Sequence, residues 1–205
     1  MKYPDFYDLI PEVRVYDPLA GFLGAVEAGI IEYRYLDAVK LAGHSCPTVA
    51  SAFWMTRLAL KTLYDEELPT RGGVRVEISE NRDVGVTGVI ANVVQLLTGA
   101  AAEDGFKGLA GIFFRNGLMR FGVAGDFQIR IIHRERLQHV DVSVDLSKIP
   151  VSRDMRQIML RNLSGDADPD EASLFSQLWQ DRVKRLILDH GEDSEVFRVI
   201  KGRVK

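Results

Sequence analysis

The chain has 205 residues, of which 46% are hydrophobic and 27% are charged, and these fractions are normal for a globular protein with a buried core. Lysine and arginine total 26 against 29 acidic residues, and the resulting formal charge of -3 argues against a nucleic-acid partner. No apolar run reaches the roughly 20 residues of a membrane-spanning helix, which argues against a membrane partner. The N-terminal segment lacks the basic and apolar regions of a secretory signal, so we expect a cytoplasmic protein.

The first half of the chain contains helix and strand patterns in succession. Residues 17–29 have apolar side chains at helical spacing and predict a short helix, while residues 30–41 indicate a strand that passes into a helix. Pro47 to Tyr64 is the clearest helix, because strong helix formers dominate it and proline fits a first helical turn. Val74 to Ile78 alternates in the manner of a half-buried strand, and Gly88 to Leu97 predicts a buried helix.

The second half of the chain first predicts strands and then helices. The predicted strands are Leu109–Phe114, Leu118–Phe121, Phe127–His133 and His139–Val144, and the predicted helices are Arg153–Leu163 and Asp170–Asp189. Arg115-Asn116-Gly117 is typical of a hairpin between the first two strands, which favours an antiparallel sheet. We therefore predict an α+β core domain over residues 1–150 and a C-terminal helical extension over residues 151–205.

Cys46 is the only cysteine, so an intrachain disulfide cannot form. The cysteine directly precedes Pro47 at the predicted start of a helix, where free backbone N–H groups and the helix dipole favour a thiolate. A protonated His44 nearby would lower the pKa of the thiol further. Cys46 is therefore a candidate catalytic nucleophile or metal ligand.

His44 and Cys46 form a His-x-Cys pair, whose imidazole and thiolate suit zinc or another late transition metal. Two ligands make half a site, and the remaining ligands would have to come from acidic side chains, water or another subunit. The alternative is that Cys46 is a small, buried and inert side chain and His44 a hydrogen-bonded turn residue.

The other histidines have simpler interpretations. His133 and His139 lie in a strand-rich region among charged residues and are interpreted as surface histidines. His190 is placed to complement the dipole at a helix C-terminus. Residues 85–88 open a helix but match no nucleotide-binding fingerprint, and we interpret them as a helix entrance that lines a pocket.

The Gly43-His44-Ser45-Cys46-Pro47 segment resembles the FmdE family, named for a component of formylmethanofuran dehydrogenase, whose members carry Gly-His-x-Cys-Pro at the start of a helix. A later helix that ends in the pattern Gln95, Thr98, Gly99 agrees with the family as well, and the resemblance covers residues 30–125. It implies a mixed, largely antiparallel sheet flanked by helices, a homodimer, and a metal-associated or redox-linked site at His44 and Cys46.

The sequence also departs from the family. Many relatives carry further cysteines near the second helix and after its Thr-Gly, where this chain has Val89 and Ala100. Many also carry a C-terminal zinc finger, which the cysteine-free residues beyond Pro150 cannot form. Only His44 and Cys46 can therefore be carried over from the family.

Two functions follow as hypotheses. In the first, the protein is an enzyme or enzyme subunit with a metal- or thiol-based site at His44 and Cys46, with a divalent transition metal such as zinc as the cofactor. In the second, it is a non-catalytic module that binds a small ligand, pairs with itself, or assembles into a larger redox enzyme complex.

Overall fold

The computed structural model describes residues 2–203 and has the predicted α+β fold; the outer limits of the two predicted domains, residues 1 and 205, lie outside this range. The strands are β1 (Val13–Tyr16), β2 (Ile30–Tyr33), β3 (Val74–Ile78), β4 (Met119–Arg120), β5 (Ile129–His133), β6 (Gln138–Val144) and β7 (Phe197–Arg203). The α-helices are α1 (Pro18–Phe22), α2 (Tyr35–Ala42), α3 (Pro47–Tyr64), α4 (Thr87–Thr98), α5 (Arg153–Ser164) and α6 (Pro169–Lys184). No helix within the described range has the length and apolar character needed to cross a membrane.

The main sheet has five strands in the order β4-β3-β5-β6-β7, and a separate two-stranded antiparallel sheet pairs β1 with β2. In the main sheet β3 and β4 are parallel and the other neighbours are antiparallel, so the sheet is mixed and largely antiparallel as expected. The alternation of β3 puts Val74, Val76 and Ile78 on the buried face and leaves Arg75 exposed.

Helix α3 packs against this sheet and forms the centre of the core. Its bounds agree with the sequence prediction, and 14 of its 18 residues are buried. Such an all-round apolar helix is stable only when other elements surround it. Strands β5, β6 and β7 contact α3 on one side, and helices α2, α4 and α6 contact it elsewhere.

The C-terminal part of the chain completes this core. Helices α5 and α6 form as predicted, and α6 continues into a π-helical turn at Arg185–Asp189 whose Leu186 and Ile187 are buried. The last strand, β7, is absent from the sequence prediction and pairs along the whole of β6. Residues 151–205 therefore contribute a sheet strand in addition to the two predicted helices.

Two local predictions for residues 109–121 are wrong. Leu109–Phe114 forms no strand but a tight turn with a single bridge between Leu109 and Ile112, and its backbone takes positive φ at Gly108 and Gly111. The Arg115-Asn116-Gly117 hairpin does not form either, because β4 pairs in parallel with β3. The hairpin is prevented by a long-range contact. The Arg115 side chain is buried in an ion pair with Asp17, which holds this segment against the start of α1.

The short helix predicted within residues 17–29 is limited to α1. Asp17 caps its first turn, with a side-chain oxygen that accepts from the amides of Leu19 and Ala20. Gly24 then takes a positive φ of 68°, which ends the helical path.

Candidate functional site

The Gly43–Pro47 segment connects α2 to α3. Gly43 takes a left-handed φ of 76° and its amide donates to the Val39 carbonyl, which ends α2. Three residues later Cys46 is the N-cap of α3 and Pro47 occupies the first turn. The structure therefore places His44, Ser45 and Cys46 on a three-residue bridge between two helices.

The sulfur of Cys46 accepts a hydrogen bond from the Val49 amide at 3.4 Å, in the position that a capping oxygen normally takes. This amide belongs to the first turn of α3, where backbone N–H groups have no partner in the helix. The side chain is only 9% exposed. Cys46 thus has the predicted place at the helix N-terminus, with little access for a large reagent.

His44, in contrast, is exposed. Its Nδ1 lies 2.9 Å from the Ala42 carbonyl oxygen, and since a carbonyl can only accept, Nδ1 carries the proton. The lone pair of Nε2 is then available to a ligand, and this is the arrangement in which metal-binding histidines are commonly held.

A cavity of about 130 Å³ lies beside His44, between the end of α2 and one face of α4. Val89, Asn92 and Val93 of α4 form its far wall. Residues 85–88, which the sequence predicts to line a pocket, precede this wall rather than form it. Val89 faces the same cavity as His44.

Ser45 is held from both sides by residues distant in sequence. Its hydroxyl lies 2.9 Å from that of the buried Tyr35. Its carbonyl oxygen accepts from Trp179 Nε1 at 2.9 Å and from Gln180 Nε2 at 3.3 Å, both on α6. Burial raises the pKa of Tyr35 while the bond to Ser45 opposes the rise, so Tyr35 stays protonated and able to donate.

Trp179 and Gln180 are not among the residues that the sequence predicts for the site. Both lie about 135 residues from Ser45, and no local pattern joins them to it. The available signal is the tryptophan itself, because a half-buried tryptophan usually donates its N–H to a partner. The predicted C-terminal helix thus helps to position the His-x-Cys segment.

The donor groups near His44 do not complete a metal site. Within residues 2–203, no group of three or more histidine, cysteine, aspartate or glutamate side chains is placed to hold a metal ion. His44 and Cys46 supply at most two of the four ligands of a tetrahedral zinc ion. The residues of one chain therefore do not fit a closed metal centre.

The other histidines lie elsewhere in the fold. His133 is only 7% exposed, so its interpretation as a surface histidine is wrong, and it lines a different cavity with Tyr64 at the far end of α3. His139 is partly buried as well. His190 ends the π-helical turn as predicted and lies 3.2 Å from the Asp193 carboxylate.

Comparisons with known proteins address the family. The family model described as FmdE, Molybdenum formylmethanofuran dehydrogenase operon, matches residues 41–197. A solved structure of a tungsten formylmethanofuran dehydrogenase FmdE-like protein from Syntrophus aciditrophicus is 18% identical, with a TM-score of 0.46 over 84% of this chain and 74% of that one. No curated protein matches the chain. Because the matched segment includes Gly43–Pro47 and most of the described fold, this chain belongs to the FmdE family.

Proposed function

We propose that this FmdE-family protein carries a thiol- and imidazole-based binding site at the N-terminus of α3, formed by His44 and Cys46. The observation that carries the proposal is the orientation of His44, whose Nδ1 is fixed on the Ala42 carbonyl while the ring lines a cavity. In this role His44 Nε2 meets the ligand, and the Cys46 sulfur is the second donor or the nucleophile.

A divalent transition metal such as zinc is one ligand of the proposed site. With two donors from one chain, such an ion would need further ligands from water, from the bound molecule or from another subunit. A redox-linked role would instead use thiol–disulfide exchange, in which the Cys46 thiolate attacks a disulfide of another molecule, forms a mixed disulfide and releases the other sulfur as a thiolate, because the chain has no second cysteine.

The experiment compares the natively purified protein with Cys46→Ser and His44→Ala, and uses His190→Ala as a histidine control outside the site. We expect zinc binding, measured by competition with a chromophoric chelator, to be lost in the first two variants and kept in the third. Thiol labelling of metal-free protein is measured alongside. Zinc binding that survives Cys46→Ser would remove Cys46 from the site.

A second candidate is a non-catalytic module that binds a small ligand or assembles with itself or a redox complex. The burial of Cys46 and the incomplete donor set within residues 2–203 favour it. It predicts no stoichiometric zinc and a thiol that reacts only after unfolding, which the same two measurements distinguish from the first candidate.

Homodimerisation is part of this proposal and has a candidate surface. Exposed apolar side chains from α1 and from the loop before β4 are Phe22, Leu23, Phe106, Leu109 and Ile112. The Phe22 and Phe113 rings, with centroids 5.4 Å apart, join the two segments. We expect equilibrium sedimentation to give a dimer that Phe22→Asp weakens. A monomer at all concentrations would contradict the dimer.

A further inference from the structure

A larger cavity lies at the opposite end of α3 from Cys46. It has a volume of about 440 Å³, which is in the range of small-molecule sites. Tyr64 at the end of α3, His133 at the end of β5, and the following residues Arg134 and Arg136 line it, together with Glu67. We call it the His133 cavity.

His133 has one fully used ring nitrogen and one free one. Its Nδ1 accepts from the amides of Glu135 and Arg136, both at 3.2 Å, so the neutral ring carries its proton on Nε2. Nε2 makes no hydrogen bond with any residue of the described range, although the side chain is only 7% exposed. The Nε2 atom itself is not fully buried, so its N–H is open to the cavity and can donate to a ligand there.

Tyr64 adds a second such group beside His133. The two rings are 5.0 Å apart, and the buried Tyr64 hydroxyl has no hydrogen-bond partner among residues 2–203. Burial raises the pKa of Tyr64, and this effect is larger than the opposing effect of the Thr70 backbone beside the hydroxyl. Tyr64 is therefore protonated and another donor at the floor of the cavity.

The charges at the rim favour an anion of low charge. Arg136 is paired with Glu67, while Arg134 donates one N–H to the Gly72 carbonyl and lies over the Phe114 ring, 4.5 Å from its centroid. Arg136 lowers the pKa of His133 more than Glu135 or Glu67 raises it, after the larger effect of burial. The two arginines and two glutamates of the lining balance in number, so the cavity has no surplus of positive charge and disfavours a dianion such as phosphate.

We propose that the His133 cavity binds a small carboxylate, which accepts a hydrogen bond from His133 Nε2 and is held by the guanidinium groups of Arg134 and Arg136. The site uses neither His44 nor Cys46. It is therefore independent of the function proposed above, and either can fail without the other.

The test is an NMR titration of the labelled full chain with sodium benzoate at constant ionic strength, with benzamide and inorganic phosphate as alternative probes. We expect saturable shifts at His133 and its neighbours with benzoate, and tighter binding of benzoate than of the other two probes. Absence of saturable shifts, equal binding of benzamide, or tighter binding of phosphate would each overturn the proposal.

Two pairs of variants locate the binding. Arg136→Gln should weaken benzoate binding at least about fivefold, while Arg198→Gln, which removes the same charge from another surface ion pair, should not. His133→Asn keeps an acceptor near the Nδ1 position but removes the Nε2 donor, and should weaken binding about tenfold, unlike His190→Asn. Equal effects of the two arginine variants would show charge screening alone and contradict the site.

Discussion

Asp17 joins three separate parts of the chain through one carboxylate. Its two oxygens lie 2.9 Å from Arg71 Nη1 and 2.8 Å from Arg115 Nη2, and the same group caps α1. Burial alone would raise the pKa of Asp17, but the hydrogen bond from Arg71, the helix amide and both positive charges lower it. The ionised form is therefore the one that stabilises the fold.

Replacing Asp17 with asparagine should be strongly destabilising, because it leaves the buried Arg115 and the partly buried Arg71 without their counter-charge. We expect the free energy of unfolding to fall by about 3–5 kcal/mol in urea at pH 7. The matched control is Asp126→Asn, which breaks an exposed pair with Arg198 and should lower the free energy of unfolding far less. Similar losses in the two variants would contradict a special role for Asp17.

The pH dependence of this effect follows from the lowered pKa of Asp17. A carboxyl group with a folded-state pKa below its unfolded value stabilises the protein above the unfolded value and ceases to do so as the pH falls through the folded one. The difference in unfolding free energy between wild type and Asp17→Asn should thus be full at neutral pH and shrink on the acid side of the ordinary aspartate pKa. Urea unfolding at several pH values measures it.

At the scale of single residues, the sequence predicts what depends on near neighbours. Cys46 as a helix cap and Pro47 in the first turn follow from local rules, and both are confirmed. The burial of His133 and the Asp17–Arg115 pair do not follow from such rules. Asp17 and Arg115 are 98 residues apart in the sequence, so no local pattern joins them. Histidine, aspartate and arginine are not residue types that indicate burial by themselves.

At the scale of elements, α6 acts as a brace on the bridge between α2 and α3. Trp179 and Gln180 both donate to the Ser45 carbonyl, and Gln180 also accepts from the Tyr7 hydroxyl at 3.2 Å. The residue after this carbonyl is Cys46. Movements of the bridge are therefore restrained by a helix that is remote in sequence.

Trp179→Phe should loosen this bridge without removing the helix. The variant loses one hydrogen bond of ordinary strength, so we expect the Cys46 thiol to react several-fold faster with a disulfide reagent in the native state. Trp54→Phe is the control, because it loses a comparable N–H bond from the middle of α3 to the Gly191 carbonyl, which does not contact the bridge. Equal acceleration in both variants would point to general destabilisation.

The helices and strands that the sequence predicts well are those with a regular spacing of apolar residues. Helices α3 to α6 and strands β3, β5 and β6 lie close to their predicted bounds, because apolar spacing records which face is buried. The loop from residue 100 to 118 does not follow the same reasoning. Several of its apolar residues are exposed and its path is set by Arg115, which periodicity does not encode.

At the scale of the whole molecule, the C-terminal segment forms part of the main sheet and of the hydrophobic core. Strand β7 covers the edge of β6, and Phe197 at its start is only 3% exposed. The sequence pattern changes at the predicted division at residue 150. The packing does not follow this division, because α6, the π-helical turn and β7 all contact α3. We expect the two segments to unfold together.

Phe197→Ala tests this integration. Loss of a buried phenylalanine side chain should lower the free energy of unfolding by about 3–5 kcal/mol and keep a single transition seen by all probes. Ile200→Ala on the same strand removes a side chain that is 47% exposed and should cost much less. A separate early transition in Phe197→Ala would instead favour an independent C-terminal unit.

Helix α3 also sets the distance between the two proposed sites. Its 18 residues span roughly 27 Å, so no small molecule can touch Cys46 and Tyr64 at once. One route of communication between the ends is a shift or rotation of the helix as a rod within its packed surroundings. If the helix moves in this way, a ligand at either end must change the affinity for the ligand at the opposite end by the same factor. Titration of each ligand with and without the second ligand would measure the two factors, which must agree.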